Sequence, residues 1–198
     1  MAEEMPMIQL GPHRVSRLIV GANPIIGVSY MGALMGRFMS EYYTVDNICK
    51  LIVRCLEVGI NTWQTSGHEK IDEALERLRG EGRDLHWILL ARGDEDAQTL
   101  AEIVRRGRPV AIAHHGGVTD RRYREGQIQD VHDFTKRVHD AGVMACVSAH
   151  NPEVIRFVED EGWDVDFYMT CFYRLTRTSQ ELQAEVGRVL VAQDEREF

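Results

Sequence analysis

The sequence predicts an α/β fold built on a parallel sheet, and three observations carry that expectation. Apolar runs of strand length, such as residues 110–113 and 143–147, do not alternate with polar residues, which is the pattern of strands buried on both faces. Amphipathic helical patterns that stop at glycine separate these runs. Polar residues gather just after the strands, where a parallel sheet presents the groups of a site. No G-x-G-x-x-G follows the first long strand, so a (β/α) TIM-type barrel is preferred to a dinucleotide-binding doubly wound sheet.

In chain order, residues 7–10 and Val15, separated by Gly-Pro-His-Arg, predict a short hairpin. Residues 17–22 predict the first strand of the sheet, ended by Asn23-Pro24, and residues 25–43 a long loop over the strand ends. Thr44 is an N-cap candidate, followed by Ile48, Leu51, Ile52, Cys55 and Leu56 at helical spacing and by a stop at Gly59. Strands are expected over 60–65, 85–91, 110–113, 143–148 and 167–172, with helices over 71–79, 99–106, 128–141 and 153–161. The tail 179–196 carries a helical stripe of Leu182, Val186, Val189 and Leu190. A closed barrel needs eight strands and typically ~250 residues. The expectation for 1–198 is therefore a single, incomplete barrel domain of about six of the eight strand–helix units. Its open sheet edge would invite assembly with another copy.

Composition narrows the classes of function. The chain is 44% hydrophobic and 27% charged with a net charge of −8, the balance of an ordinary soluble globular protein, without the clustered positive charge of a nucleic-acid binder. Arg121, Arg122 and Arg124 form a short basic patch, read as a solvated helix start. Cys49, Cys55, Cys146 and Cys171 show no C-x-x-C spacing and are read as free thiols of a cytoplasmic protein. No window has the ~18 apolar residues of a membrane span.

The focus of the chain is Pro109-Val-Ala-Ile-Ala-His114-His115-Gly-Gly, a strand that runs straight into two histidines. Alternation sends the two rings to different sides, so His114 is expected to pack and His115 to face the site. His68 with Glu69, after the 60–65 strand, forms a second acid–base candidate. His150 and Asn151 precede Pro152, with Asn151 a natural N-cap. If His68, His115 and His150 converged with Glu69, neutral imidazoles and a carboxylate would suit Zn²⁺. None of them has helical metal-ligand spacing, so no metal ligand is assigned.

In serial order, three segments resemble the aldo/keto reductases. They are Leu10-Gly-Pro-His-Arg-Val-Ser-Arg-Leu-Ile-Val-Gly, Val58-Gly-Ile-Asn-Thr-Trp-Gln-Thr-Ser, and the stretch from Val138 through Ala141-Gly142 to Pro152-Glu153. The resemblance implies a barrel that binds NADPH across its strand ends and reduces a small carbonyl or sugar-like compound. Position by position, the family's catalytic His falls on His115, its Asp on Gln64 and its Lys on Arg92. Its Tyr has no counterpart in the shortened Ser66-Gly67-His68, where His68 with Glu69, or Tyr30, Tyr42 or Tyr43, would have to substitute. For the cofactor, the family's Ser falls on Ser148 and its Gln on Thr170. Two other readings stand beside this one. One is an enzyme without nicotinamide, using His115, His68 and Glu69 for acid–base or metal chemistry. The other is a non-catalytic domain whose exposed edge serves assembly.

Overall fold

The computed structural model describes residues 4–29, 31–171 and 180. The chain opens with β1 (Met7–Leu10) and β2 (His13–Ser16), an antiparallel hairpin turned at Gly11, whose φ of 52° is one that glycine accepts without strain. Asn61 ties this hairpin to the sheet: its side chain accepts from Ser16 N at 2.8 Å and donates to Arg14 O at 3.0 Å.

Five strands follow in one parallel sheet whose spatial order is their chain order: β3 (Thr62–Ser66), β4 (His86–Ala91), β5 (Ala111–His114), β6 (Met144–Ala149) and β7 (Phe167–Thr170). α1 (Ala33–Tyr42) and α2 (Val45–Glu57) precede β3, and the helices between the strands are α3 (Glu69–Gly80), α4 (Ala97–Gly107), α5 (Gly116–Arg124), α6 (Gln129–Asp140) and α7 (Pro152–Asp160). The expectation of a TIM-type barrel is corrected here. The described residues form an open five-stranded half-barrel beside a separate hairpin. Residues 17–22 do not add a full strand: Val20 alone bridges to Trp63, through Val20 N to Thr62 O and Gln64 N to Val20 O. The turn at Ala22–Pro24 then carries the chain away before a ladder can form, leaving Leu18 and Ile19 exposed.

Two further expectations change. Residues 25–43 are not all loop, because α1 forms inside them. The arginine patch lies in the last turn of α5, where its charge complements the negative end of the helix, rather than at a helix start. The tail 179–196 and its predicted stripe lie outside the described residues, Gln180 excepted.

One face of the sheet carries the core. Register aligns Trp63 with Trp87, Leu89 with Ile112 and His114 with Val147, so these side chains share the face covered by helices. Ile48 and Ile52 of α2, Ile71, Leu75 and Leu78 of α3, Leu100 of α4 and Phe134 and Val138 of α6 close over it. Trp87 keeps its indole N–H satisfied inside the core by donating to Thr65 Oγ1 at 2.8 Å. A second cluster, Val131, Val147 and Val158, joins α6 and α7 to β6 and β7. All four cysteines are free, and burial pushes the Cys146 thiol up to about 12.

Phe134 is fully buried and its ring meets His114 edge-on at 5.2 Å. Phe134→Ala should therefore cost about 3–5 kcal/mol of stability. Urea unfolding measures this, and a loss below about 1 kcal/mol would show that α6 is not packed on the sheet as described.

Candidate functional site

The carboxyl ends of the strands carry the polar residues, and each is fixed by the start of the helix that follows. His68 caps α3, Asp96 caps α4, His115 caps α5 and Asn151 caps α7, every one accepting a backbone N–H through its side chain. Two of these caps are imidazoles: His68 Nδ1 accepts from Lys70 N and His115 Nδ1 from Gly117 N, both at 3.2 Å. An imidazole that accepts at Nδ1 is neutral and carries its proton on Nε2. His115 thus presents an N–H donor away from its helix. Burial, the nearby His150 and the Arg92 guanidinium all lower its pKa, favouring that neutral form.

Beside His115 stands a carboxylate–imidazole pair that links two elements. Asp120, in α5, accepts from His150 Nδ1 at 2.7 Å, from His150 N at 3.1 Å and from Asn151 N at 3.2 Å. Burial works to raise the Asp120 pKa, but the hydrogen bonds from His150 and Asn151 outweigh it and hold the carboxyl below its ordinary range. An ionised carboxylate has no proton to give, so His150 Nδ1 carries the hydrogen, and in the neutral ring the lone pair is then on Nε2. The His150 side chain is 38% exposed and Asp120 21%, so the pair is reachable from solvent. Gly116 lets β6 come close: a Cβ there would lie 2.8 Å from Ser148 Oγ and 3.1 Å from His150 Cε1. Chemically, the arrangement offers an oriented base at His150 and a donor at His115, with positive charge from Arg92.

His114 faces the other way, as alternation predicts. It is buried, its Nδ1 lies 2.7 Å from Thr119 Oγ1, and that hydroxyl donates to His115 O at 3.1 Å. The hydroxyl's single proton is thereby spent, so His114 Nδ1 is the donor. Its Nε2 points at Gly93, where a Cβ would come within 2.1 Å. Burial, with help from His115 and nearby arginines, lowers the His114 pKa to about 4.

Of the residues singled out in the sequence, Arg92, His115 and His150 are brought together, with Ser148 buried under the start of α5. Gln64 is half-buried on β3, and Thr170 is exposed at the end of β7, paired with Ala149. His68 is occupied in capping α3, where the charge it influences is that of Asp72. Among the described residues no three His, Cys, Asp or Glu side chains form a metal-holding group, so His68, Glu69, His115 and His150 do not assemble as ligands. Asp120 was not legible as a site residue. It stands 30 residues from His150, with no spacing motif to join them; the signal was its place one helical turn after Gly116. An open groove of about 490 Å³ lies elsewhere, on the helical exterior between Asp46, Lys50 and Arg54 of α2 and Arg77 and Glu81 of α3.

The buried His114 makes stability depend on pH. Its pKa is about 4 folded against 6.5 unfolded, so the unfolded chain binds the extra proton between those values. The contribution is complete above pH 6.5 and is lost as pH falls toward 4, on the order of 3 kcal/mol in all. Urea unfolding across this window should show the decline, and His114→Gln should flatten it; an unchanged slope would place the effect elsewhere.

No protein-family model and no curated protein matches the chain. Among solved structures, the crystal structure of citrate synthase SbnG is similar with a TM-score of 0.41 and 11% identity, over 74% of this chain and 68% of that one.

Proposed function

We propose that the strand ends of β5 and β6 form an acid–base site acting on a small carbonyl compound. The observation that carries the reading is the 2.7 Å contact between Asp120 and His150 Nδ1, which makes Nδ1 the donor and leaves Nε2 as the basic nitrogen of the neutral ring. In this reading His150 Nε2 takes a proton from the carbon beside the carbonyl. The electron pair of that C–H bond moves onto the carbonyl oxygen, where His115 Nε2–H and the Arg92 charge stabilise the enolate. Asp120 stays ionised and stabilises the imidazolium formed. Neutral His115 suits its task, since it donates a hydrogen bond without placing a second full charge next to His150.

The reading is tested without knowing the natural substrate. The protein is incubated in D₂O with a panel of 2-oxo acids, ketones and ketoses, and loss of the α-proton signal is followed by NMR. Exchange is expected with at least one member, falling by about 10²–10⁴ in His150→Gln. Asp120→Asn should slow it as well, while His68→Gln should leave it in place. Exchange that survives His150→Gln at full rate sinks the proposal.

A second reading, an aldo/keto reductase-like enzyme using NADPH, is favoured by one observation. Ser148, the position that carries over from that family's cofactor residue, lies under Gly116, the residue that follows His115, the position of its catalytic histidine. Here His115 would orient the carbonyl for hydride. NADPH fluorescence titration separates the two: saturable binding lost in Ser148→Ala favours the reductase, and no binding at millimolar NADPH removes it.

A further inference from the structure

Helix α1 is mounted the wrong way round for a helix that serves only its own chain. Its small face is turned inward: a Cβ on Gly36 would sit 2.2 Å from Gly27 O, and one on Gly27 would meet Ser40 Cβ at 3.1 Å. Lys70 at the start of α3 fastens the helix further by donating from Nζ to Ser40 O at 2.7 Å. The large apolar side chains point to solvent. Leu34 is 84% exposed, Phe38 62% and Tyr42 57%, at i, i+4 and i+8, with Met31 at 77% just before them. A contiguous apolar stripe of this kind marks an interaction surface.

We propose that the occupant of this stripe is α1 of a second copy of the chain, packed antiparallel about a two-fold axis beside Met39. Charge supports that choice. Arg37 and Glu41 lie on one flank of the stripe and pair with each other in the single chain at 2.8 Å, with side chains 79% and 64% exposed. A two-fold axis perpendicular to the helix and passing midway between them brings like flanks together with reversed direction. Each Arg37 then faces the partner copy's Glu41, and each Glu41 faces the partner copy's Arg37, without any further residue. Area supports it too. With aromatic rings burying about 150–250 Å² each, the stripe offers on the order of 500 Å² per copy. The pair covers ~1,000 Å² in all, the size at which a specific interface begins. The Gly27–Gly36 contact holds the stripe in a fixed pose, so little ordering is needed on association.

Size-exclusion chromatography with light scattering across a dilution series tests the pairing. The wild-type chain should run as a dimer, and L34E/F38E as a monomer with unchanged far-UV circular dichroism and melting temperature. R37E and E41R should each weaken the dimer about tenfold or more, and R37E/E41R together should restore it. A wild-type monomer at every concentration overturns the proposal, as does a dimer indifferent to L34E/F38E. If L34E/F38E fails to fold, the exposed charge variants decide: a dimer that neither single swap weakens overturns it. Co-sedimentation of a monomer with phosphatidylcholine–phosphatidylglycerol vesicles, abolished by L34E/F38E, would also overturn it by assigning the stripe to a lipid surface.

Discussion

The Asp120 carboxylate is the point on which the strand ends turn. It is one side chain of α5, yet the three groups that donate to it, His150 N, His150 Nδ1 and Asn151 N, belong to the junction between β6 and α7. Hydrogen bonds to an ionised group are about twice as strong as neutral ones, and these are partly shielded from water. The contact therefore does more than orient an imidazole. It sets where α5 starts relative to β6, which in turn sets how closely Gly116 passes Ser148 and where the His115 ring stands. A neutral amide in its place would keep the shape but would not hold His150 in the same tautomer.

Below that level the sheet behaves as a rigid base. The layered side chains Trp63–Trp87, Leu89–Ile112 and His114–Val147 continue through β6, with α6 and its Phe134 filling the space above them. His114 belongs to this layer, not to the site, although it adjoins His115 in sequence. Its bond through Thr119 to His115 O is the physical link between the packed layer and the strand ends. Rigidity beneath and access above is the arrangement that fixed hydrogen-bond geometry requires.

The parallel order, the strands from β3 to β7 and helices α3, α4, α6 and α7 were legible because unbroken apolar runs and glycine stops are local signals, whereas α5, which opens on two glycines and carries no apolar stripe, was not. Thr44 and Asn151 were legible as caps for the same reason. What was not legible depends on partners distant in the chain. Residues 17–22 have the apolar content of a strand, but only Val20 pairs, and sequence does not record pairing. α1 was hidden because its apolar stripe faces solvent and its inner face is glycine and serine, the reverse of the usual pattern. His68 and His115 each cap their own helix through Nδ1, a use of histidine that sequence spacing does not announce. Asp120 gained its meaning only from the β6 end packed against it.

The histidine caps have one more consequence. An ordinary cap such as Asp96 has a single role, and its hydrogen bond survives through the neutral pH range. In His115 one nitrogen holds Gly117 N and the other is left over, so the helix cap and a second nitrogen share a single aromatic ring. Adding a proton to that ring makes Nδ1 a donor and ends its hold on the helix. A ligand that draws a full positive charge onto His115 must therefore loosen the first turn of α5, and with it the seat of Asp120. Binding and local unfolding at this edge are two readings of one protonation event.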